Sequence, residues 1–332
     1  MIVDVHAHAV SERFLADLAR QPIAGISAQR ADDGTFLMDG GPWSRPSSID
    51  ANLYDLPRRL ESLTRRQVEL QLFAPPPNFF AWPGGAATRD WVRALHAQEI
   101  ALAAEAGGLM EPMVVFALGE PEHVADELRR ALDLHPFRAG MLPSTAGGRP
   151  LDDPVFAPMW SLIEERELLI FLHPTSAVGS ERFGFHGMHV VVGWPFETTL
   201  AVTRLIFSGV LERHPRLKLI LSHGGGNLVF LRGRLDAAYR ALGWEANAYY
   251  RKDISRPPSE YLDRLYYDSC ALSPESIRFL VDTMGADRVM FGSDYPFDIG
   301  DPEGECAVPT IGALAPAARD KIYRDNVYAA LP

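Results

Sequence analysis

The sequence predicts an α/β fold, a (β/α)₈ TIM barrel in one domain spanning residues 1–332, with a small insertion after strand 1. Eight short apolar segments suit buried strands, helical segments separate them, and 332 residues is a typical length for this barrel with insertions. A doubly wound open sheet is the alternative, but neither G-x-G-x-x-G nor G-x-x-x-x-G-K-[ST] follows any predicted strand. The barrel is therefore the preferred fold.

The predicted strands are rich in β-branched and other apolar residues and are bounded by turn residues. In chain order they are Ile2–Val5, Val68–Phe73, Pro112–Phe116, Ala139–Leu142, Leu168–Leu172, Leu217–Leu221, Arg264–Tyr267 and Arg288–Met290. Each is followed by a helix or a loop, as repeated βα units require.

The segments between these strands have amphipathic patterns of helical length. The clearest are Ala86–Glu105, Pro121–Leu134, Pro154–Glu165, Pro195–Phe207, Leu228–Leu242 and Pro274–Met284. Several begin with proline, which is tolerated in the first helical turn because its missing N–H has no helical partner there. Residues 22–55 interrupt the alternation, because they are rich in Gly, Pro, Ser and Asp, and we expect a small hairpin or lid there.

The composition excludes several classes of protein. Hydrophobic residues make up 47% and charged residues 23% of the chain, which excludes a disordered or fibrous protein. A formal net charge of -11 without a long basic run predicts no nucleic-acid partner. Two cysteines, Cys270 and Cys306, make no disulfide framework, and no run of about 18 apolar residues predicts a membrane span. We expect a soluble, cytoplasmic protein with no membrane partner.

Five polar residues directly follow predicted strands. They are His6, His8, His173, His223 and Asp294. The carboxyl ends of barrel strands open onto one face, where active sites are built, so we expect these residues to converge. His6 and His8 lie two apart on an extended chain and therefore point to the same side. With His173 and Asp294 they form a nitrogen and oxygen ligand set that suits Zn²⁺ or a similar divalent ion.

Each of these residues also has a purely structural interpretation. A His-x-His pair can occur by chance at a polar strand end, and a lone histidine such as His173 can be buried with one ring nitrogen bonded to backbone. Asp294 also suits a helix N-cap or a turn. The shared position after strands favours the metal site, and we expect Asp4 on the same face as an acceptor for a ligand imidazole.

His223 is followed by three glycines and Asn227. Such a string lets the backbone approach a ligand closely just before a helix begins. The same string forms an oxyanion hole in some serine hydrolases, but the accompanying G-x-S-x-G is absent. The H-E-x-x-H zinc motif is absent as well. The remaining histidines, to which we assign no role, are His96, His123, His135, His186, His189 and His214.

Four motifs occur in a recognisable order. They are Val-Asp-Val-His-Ala-His (3–8), Phe-Leu-His-Pro (171–174), Leu-Ser-His-Gly-Gly-Gly (221–226) and Phe-Gly-Ser-Asp-Tyr-Pro-Phe (291–297). This order resembles the amidohydrolase superfamily, and within it the branch typified by aminocarboxymuconate semialdehyde decarboxylase and related aromatic-acid decarboxylases. The resemblance covers nearly the whole chain. The chain departs from this pattern at residues 63–68, which lack the usual Met-Asp-x-x-Gly-Val, and around Val190, where the semialdehyde decarboxylase carries tryptophan.

The resemblance implies a metal-dependent, non-oxidative decarboxylase of a small aromatic or muconate-type carboxylic acid. It implies that His6, His8, His173 and Asp294 bind one divalent ion, Zn²⁺ with Mn²⁺ as the alternative. It further implies that His223 is the catalytic acid/base that delivers a proton to carbon, and we expect Asp294 to share this role.

The resemblance also implies that Arg59 and Arg234 hold the substrate carboxylate, Arg234 from the neighbouring subunit of a homodimer. The competing interpretation of both arginines is a solvated helix face. Walls for a planar substrate are expected from Phe297, Trp194 and Phe80.

Two other functions stay open. Metal-assisted hydrolysis or hydration of a lactone or an unsaturated dicarboxylate needs the same ligands, with His223 as a base. A non-catalytic metal-binding or regulatory barrel has no need of His223, so the presence of this residue argues against that function.

Overall fold

A sheet of eight parallel strands forms the centre of the computed structural model, which describes residues 1–41, 43–80, 84–175, 182–183, 186–241 and 253–332. In spatial order the strands are Ile2–Asp4 (β1), Val68–Phe73 (β5), Met110–Val115 (β6), Ala139–Pro143 (β7), Leu169–His173 (β10), Lys218–Leu221 (β11), Tyr266–Asp268 (β12) and Val289–Met290 (β13). All eight predicted strands are therefore confirmed, with ends that differ by at most two residues.

Hydrogen bonds just beyond β1 and β13 close the sheet into a barrel. Val5 N donates to Phe291 O at 3.0 Å, and Asp294 N donates to His6 O at 2.8 Å. A parallel bridge joins Ala7 to Tyr295. The predicted (β/α)₈ barrel is confirmed, and its closure brings the segment after the first strand beside the segment after the last.

Helices follow the strands around the outside of the barrel. They are Glu12–Arg20 (α1), Leu56–Arg65 (α2), Ala86–Glu105 (α3), Val124–Leu134 (α4), Ala157–Glu165 (α5), Trp194–Phe207 (α6), Val210–Arg213 (α7), Leu228–Arg240 (α8), Pro258–Leu262 (α9), Pro274–Met284 (α10), Ala307–Gly312 (α11), Pro316–Asp320 (α12) and Asn326–Ala330 (α13). Local sequence explains where several begin. Ser11, Asp55 and Ser273 each cap a helix by accepting a bond from a backbone N–H of its first turn.

Strand residues alternate between two apolar cores. On β10, Leu169 and Phe171 belong to a core that also contains Val3, Val5 and Met141. Their neighbours Ile170 and Leu172 pack in a second core, shared with residues of the surrounding helices. This alternation follows from the two-residue period of a strand, and it directs every second side chain towards the barrel interior.

Residues 22–55 form more than the expected hairpin. Three antiparallel strands lie there, Ser27–Arg30 (β2), Phe36–Gly40 (β3) and Trp43–Ile49 (β4). The Trp43 ring meets the Phe79 ring edge-on at 5.2 Å, so this sheet packs on the loop that follows β5. A further short hairpin, Thr145–Ala146 (β8) with Arg149–Pro150 (β9), follows β7.

One described helix meets the length and composition required to cross a membrane. This segment, His189–Phe207, includes α6. No such segment was expected from the sequence. Several of its residues, including Val202, Leu205 and Ile206, are buried in the outer core of the barrel. Packing against the barrel therefore accounts for the apolar residues of its second half, whereas Val191, Val192 and Phe196 are exposed.

Candidate active site

Four side chains converge at the carboxyl ends of the strands. His6, His8, His173 and Asp294 are all buried, and one potential ligand atom of each lies within 4.8 Å of the others. Asp294 Oδ1 is 3.1 Å from His6 Nε2 and 3.3 Å from His8 Nε2. These three atoms and His173 Nε2 nevertheless make no well-formed hydrogen bond within the described chain. Because unpartnered buried polar atoms are costly, a shared cation fits this cluster.

The other ring nitrogen of each ligand histidine faces an oxygen. The Nδ1 atoms of His6, His8 and His173 lie 2.7 Å from Asp268 Oδ2, 3.2 Å from Pro75 O and 2.7 Å from Pro174 O, respectively. These oxygens act as acceptors, so the ring proton is placed on Nδ1. The lone pair of each Nε2 is thereby directed at the centre of the cluster, as metal binding requires.

Burial and the neighbouring charges set the protonation of the cluster. Burial lowers the pKa of both His8 and His173, which favours the neutral imidazole that metal binding requires. Burial also lowers the pKa of His6, but Asp294 and Asp268 outweigh it and raise the pKa well above its usual value. Burial would raise the pKa of Asp294, whereas the imidazoles of His6, His223 and His8 hold it well below its usual range.

Asp4 does not bond a ligand imidazole, contrary to the expectation from its spacing. Its carboxylate accepts bonds from His6 N at 3.2 Å and from Ser293 N and Oγ at 3.1 and 2.6 Å. The Asp4 carboxylate thus links β1 to the segment after β13 through hydrogen bonds. The imidazole partner is Asp268, which the sequence analysis missed even though it stands at the end of β12, the kind of position that identified the other residues.

Arg59 occupies a different place from the predicted one. Its guanidinium is buried, donates to Gln71 Oε1 at 2.8 Å and to the His8 carbonyl, and lies 4.5 Å from the Tyr295 ring centre. Burial lowers its pKa to about 10. Arg59 therefore supports the backbone of a metal ligand and does not line the cavities described below.

This placement predicts that Arg59→Met destabilises the fold. The His8 carbonyl and the Gln71 amide would lose buried donors, so we expect the free energy of unfolding to fall by about 2–4 kcal/mol. Urea denaturation measures this loss, with the exposed neighbour Arg58→Met as the control. An unchanged unfolding midpoint together with a raised KM would instead restore Arg59 to substrate binding.

His223 lies beside the cluster but outside the ligand set. Its ring centre is 5.3 Å from that of His6 and 5.2 Å from that of His173, and its Nε2 is 3.7 Å from Asp294 Oδ2. The side chain is 15% exposed, whereas the ligand histidines are fully buried. His223 is thus open to a molecule that enters the site.

Both His223 and Asp294 adopt left-handed backbone conformations, with φ of 55° and 59°. Such angles cost energy for residues other than glycine and are found disproportionately at functional sites. Two of the three glycines after His223, Gly225 and Gly226, are required by close packing. A Cβ on Gly225 would lie 2.6 Å from the Tyr267 ring, and one on Gly226 would lie 2.1 Å from Pro195 O.

A cavity of about 580 Å³ opens onto His223 and Asp294. Trp194, Val190 and Ile299 line both this cavity and a second one of about 320 Å³ that reaches the insertion sheet and the loop after β5. The Trp194 ring stacks against His223 with centres 6.2 Å apart. Walls of both cavities are largely apolar, which suits a planar ring.

Two of the three aromatic residues that were predicted to contact the substrate line a cavity, and the third does not. Trp194 lines both cavities, and Phe297 lines the second with its ring centre 5.3 Å from that of His8. Phe80 is buried and lines neither cavity, whereas its neighbour Phe79, which the sequence analysis did not select, lines the second. Arg234 is exposed on α8 and is not among the residues that line either cavity of its own chain.

Comparison with known proteins identifies relatives of the whole chain. A family model described as amidohydrolase matches residues 3–332. The chain is 30% identical to a 2-amino-3-carboxymuconate-6-semialdehyde decarboxylase of Dictyostelium discoideum, over 84% of this chain and 77% of that protein. It is 27% identical to a gamma-resorcylate decarboxylase of a Rhizobium species, over 68% and 72% of the two chains.

Solved structures share the fold. A 5-carboxyvanillate decarboxylase from Sphingomonas paucimobilis superposes with a TM-score of 0.81 at 20% identity, over 99% of this chain and 98% of that one. A dihydroxybenzoic acid decarboxylase from Polaromonas sp. JS666, solved with manganese and 2-nitroresorcinol, gives a TM-score of 0.77 at 18% identity, over 99% and 96%.

Proposed function

The chain belongs to the amidohydrolase family, in its decarboxylase branch, and from that premise we propose that it removes carbon dioxide non-oxidatively from a small aromatic or muconate-type carboxylic acid. The observation that carries this proposal is the combination of a complete metal-ligand set with a histidine that faces a cavity beside it. A ligand set alone would equally suit a metal-storing barrel.

His6, His8, His173 and Asp294 would hold one divalent ion. We propose Zn²⁺, with Mn²⁺ as the alternative that the manganese-bound relative supports, because three imidazoles and one carboxylate suit either ion. A bound ion at this position supplies electrostatic stabilisation of the negative charge that develops as carbon dioxide leaves.

His223 supplies the proton. Decarboxylation breaks the bond between carbon and carboxylate, and the electron pair of that bond remains on the substrate carbon. A proton from His223 Nε2 then forms the new carbon–hydrogen bond. His223 lines the cavity, and its Nε2 lies 3.7 Å from Asp294 Oδ2.

Trp194 and Phe297 bound the space next to the cluster, one beside His223 and the other beside His8. Two aromatic walls favour a flat, conjugated substrate over a flexible aliphatic acid. The second cavity leaves room for a substituent on the ring that extends towards the insertion sheet.

We propose that the active form is a homodimer. Among the described residues, no arginine or lysine lines either cavity, so this part of a single chain offers the substrate carboxylate no guanidinium or ammonium group there. The cavity mouth carries exposed apolar side chains, including Phe230 (82% exposed) and Phe279 (49%). Arg234 lies one helical turn from Phe230 on α8, so Arg234 of the partner subunit would meet the substrate where this surface is covered.

Arg234→Ala is expected to raise KM at least about tenfold, since a bidentate contact to a carboxylate is lost. Co-expression with His223→Ala tests whether the arginine acts across subunits. A mixed dimer then contains one complete site, and random pairing restores about one quarter of wild-type activity. An unchanged KM, or the absence of restored activity in the mixture, would contradict the role of Arg234 at a partner's site.

A substrate panel tests the proposed reaction. The purified enzyme is supplied with Zn²⁺ or Mn²⁺ and offered hydroxybenzoates, muconate-type acids and lactones, with carbon dioxide and the carbon count of each product measured. We expect carbon dioxide from one of the acids. Ring opening or addition of water without loss of carbon would establish the hydrolase or hydratase alternative.

We further propose a cytoplasmic location. Cys270 and Cys306 are both free thiols, which a reducing compartment maintains. The formal net charge of -11 supports a small molecule, rather than a nucleic acid, as the partner.

A further inference from the structure

Asp268 contacts both the metal-ligand cluster and the loop that carries His223. It is fully buried at the end of β12, and its Oδ2 lies 2.7 Å from Nδ1 of the metal ligand His6. Its Oδ1 accepts a bond from Gly224 N at 2.8 Å and one from Cys270 N at 3.2 Å. Gly224 directly follows His223, so one carboxylate connects a ligand of the cluster to the loop that carries the proton donor.

We propose that Asp268 is a positioning residue that fixes the metal ligand His6 and the acid/base His223 relative to each other. The inference rests on the proposed function of this site. Asp268 would act through its two neighbours without touching the substrate, by holding the His6 proton on Nδ1 with one oxygen and the His223 loop with the other.

The packing around Asp268 leaves its carboxylate little freedom. A Cβ on Gly292 would lie 2.9 Å from the Cβ atoms of both Asp268 and His6, so only glycine at that position allows this approach. On the other side, Gly225 lies against the ring of Tyr267, the residue before Asp268. The contact between β12 and the His223 loop is therefore enclosed on both sides.

The bond from Gly224 ties the glycine segment to β12, whereas the amides of Gly225 and Gly226 bond within the loop itself. Gly225 N donates to Ser222 O and Gly226 N to His223 O, both within the loop. Of the three glycine amides, only that of Gly224 reaches a residue of a neighbouring strand. His223 has a left-handed φ of 55°, which is costly for a residue other than glycine, so support from the adjacent Gly224 bond helps to hold its conformation.

Two substitutions separate the two contacts of Asp268, the one with His6 Nδ1 (the His6 arm) and the one with Gly224 N (the Gly224 arm). In Asp268→Asn, the amide oxygen still accepts from Gly224, but the amide nitrogen faces His6 Nδ1 and removes its acceptor. In Asp268→Ala, both arms are lost. We expect the metal dissociation constant, measured by competition with a chelator for Zn²⁺ or Mn²⁺, to rise about 10–100-fold in both variants.

The Gly224 arm is tested by comparing the variants with each other. At saturating metal, we expect kcat of Asp268→Ala to be at least about tenfold below that of Asp268→Asn, with a smaller difference in KM. Hydrogen exchange of the Gly224 amide, read without substrate, should remain slow in Asp268→Asn and become fast in Asp268→Ala.

Asp301→Asn is the matched control. Asp301 is a buried carboxylate that accepts from Cys306 N and Ala307 N at 3.1 and 2.7 Å but bonds no histidine. We expect it to lose stability while it keeps the metal affinity of the wild type. Unchanged metal affinity in both Asp268 variants would overturn the His6 arm, and equal kcat with equal Gly224 exchange would overturn the coupling. The metal dissociation constant and the hydrogen exchange of the Gly224 amide are measured without substrate. They therefore test the role of Asp268 even if the enzyme decarboxylates no acid.

Discussion

His223→Ala is expected to abolish turnover, with kcat lowered about 10²–10⁴-fold, the usual contribution of a general acid or base. The metal content of this variant should remain that of the wild type, because His223 lies next to the cluster but is not one of the four side chains that converge there. Steady-state kinetics and plasma mass spectrometry on the same preparation measure the two effects.

A surface histidine provides the control for this substitution. His123 is exposed at the start of α4, and His123→Ala should leave both kcat and metal content unchanged. Loss of metal together with activity in His223→Ala would make His223 a ligand and leave the proton donor unassigned. Full activity without His223 would remove the acid/base role altogether.

The double substitution His6→Ala/His8→Ala is expected to remove bound metal and to lower decarboxylation to background. It deletes two of the three imidazoles and leaves His173 and Asp294, too few ligands for a closed site. Wild-type protein should carry about one divalent ion per chain, the number that a single four-ligand site holds. Plasma mass spectrometry after extensive dialysis measures this ratio.

His123→Ala/His135→Ala serves as the matched control for the double variant, because it also removes two imidazoles but lies outside the cluster. It should keep the metal and the activity of the wild type. A His6→Ala/His8→Ala protein that still holds one ion per chain would show that the ion binds elsewhere. The converging histidines would then need another explanation.

The sequence predicted those parts of the site that depend on strand geometry. His6 and His8 share a side because residues two apart on an extended strand do so, and His173 joins them because parallel strands end on one face. These rules depend on local pattern and topology alone. They need no knowledge of how a given side chain packs.

Packing determined the parts that the sequence predicted poorly. Asp4 and Asp268 both stand near strand ends, but only the structure shows that Asp4 bonds backbone amides while Asp268 bonds the His6 ring. An arginine in a polar helix, such as Arg59, is expected to be exposed to solvent. Its burial against Tyr295 depends on how α2 packs on the barrel. Phe79 and Phe80 are adjacent, so their assignment to cavity or core depends on the turn between them.

The insertion was likewise predicted only in part from the sequence. Its composition distinguished residues 22–55 from the barrel, whereas the pairing of β2, β3 and β4 depends on contacts such as that of Trp43 with Phe79. The helix after β10 is a further case. Residues such as Val202, Leu205 and Ile206 are buried against the barrel, which residue type alone does not distinguish from burial in lipid.

The most direct test of the account is a metal titration of metal-free enzyme, with carbon dioxide release recorded for the acid that the wild type converts fastest. We expect no release without metal and a rise in proportion to bound Zn²⁺ or Mn²⁺ that ends at about one ion per chain. Carbon dioxide released at full rate by metal-free protein would contradict this expectation, as would a fully loaded protein that releases none from any acid in the panel.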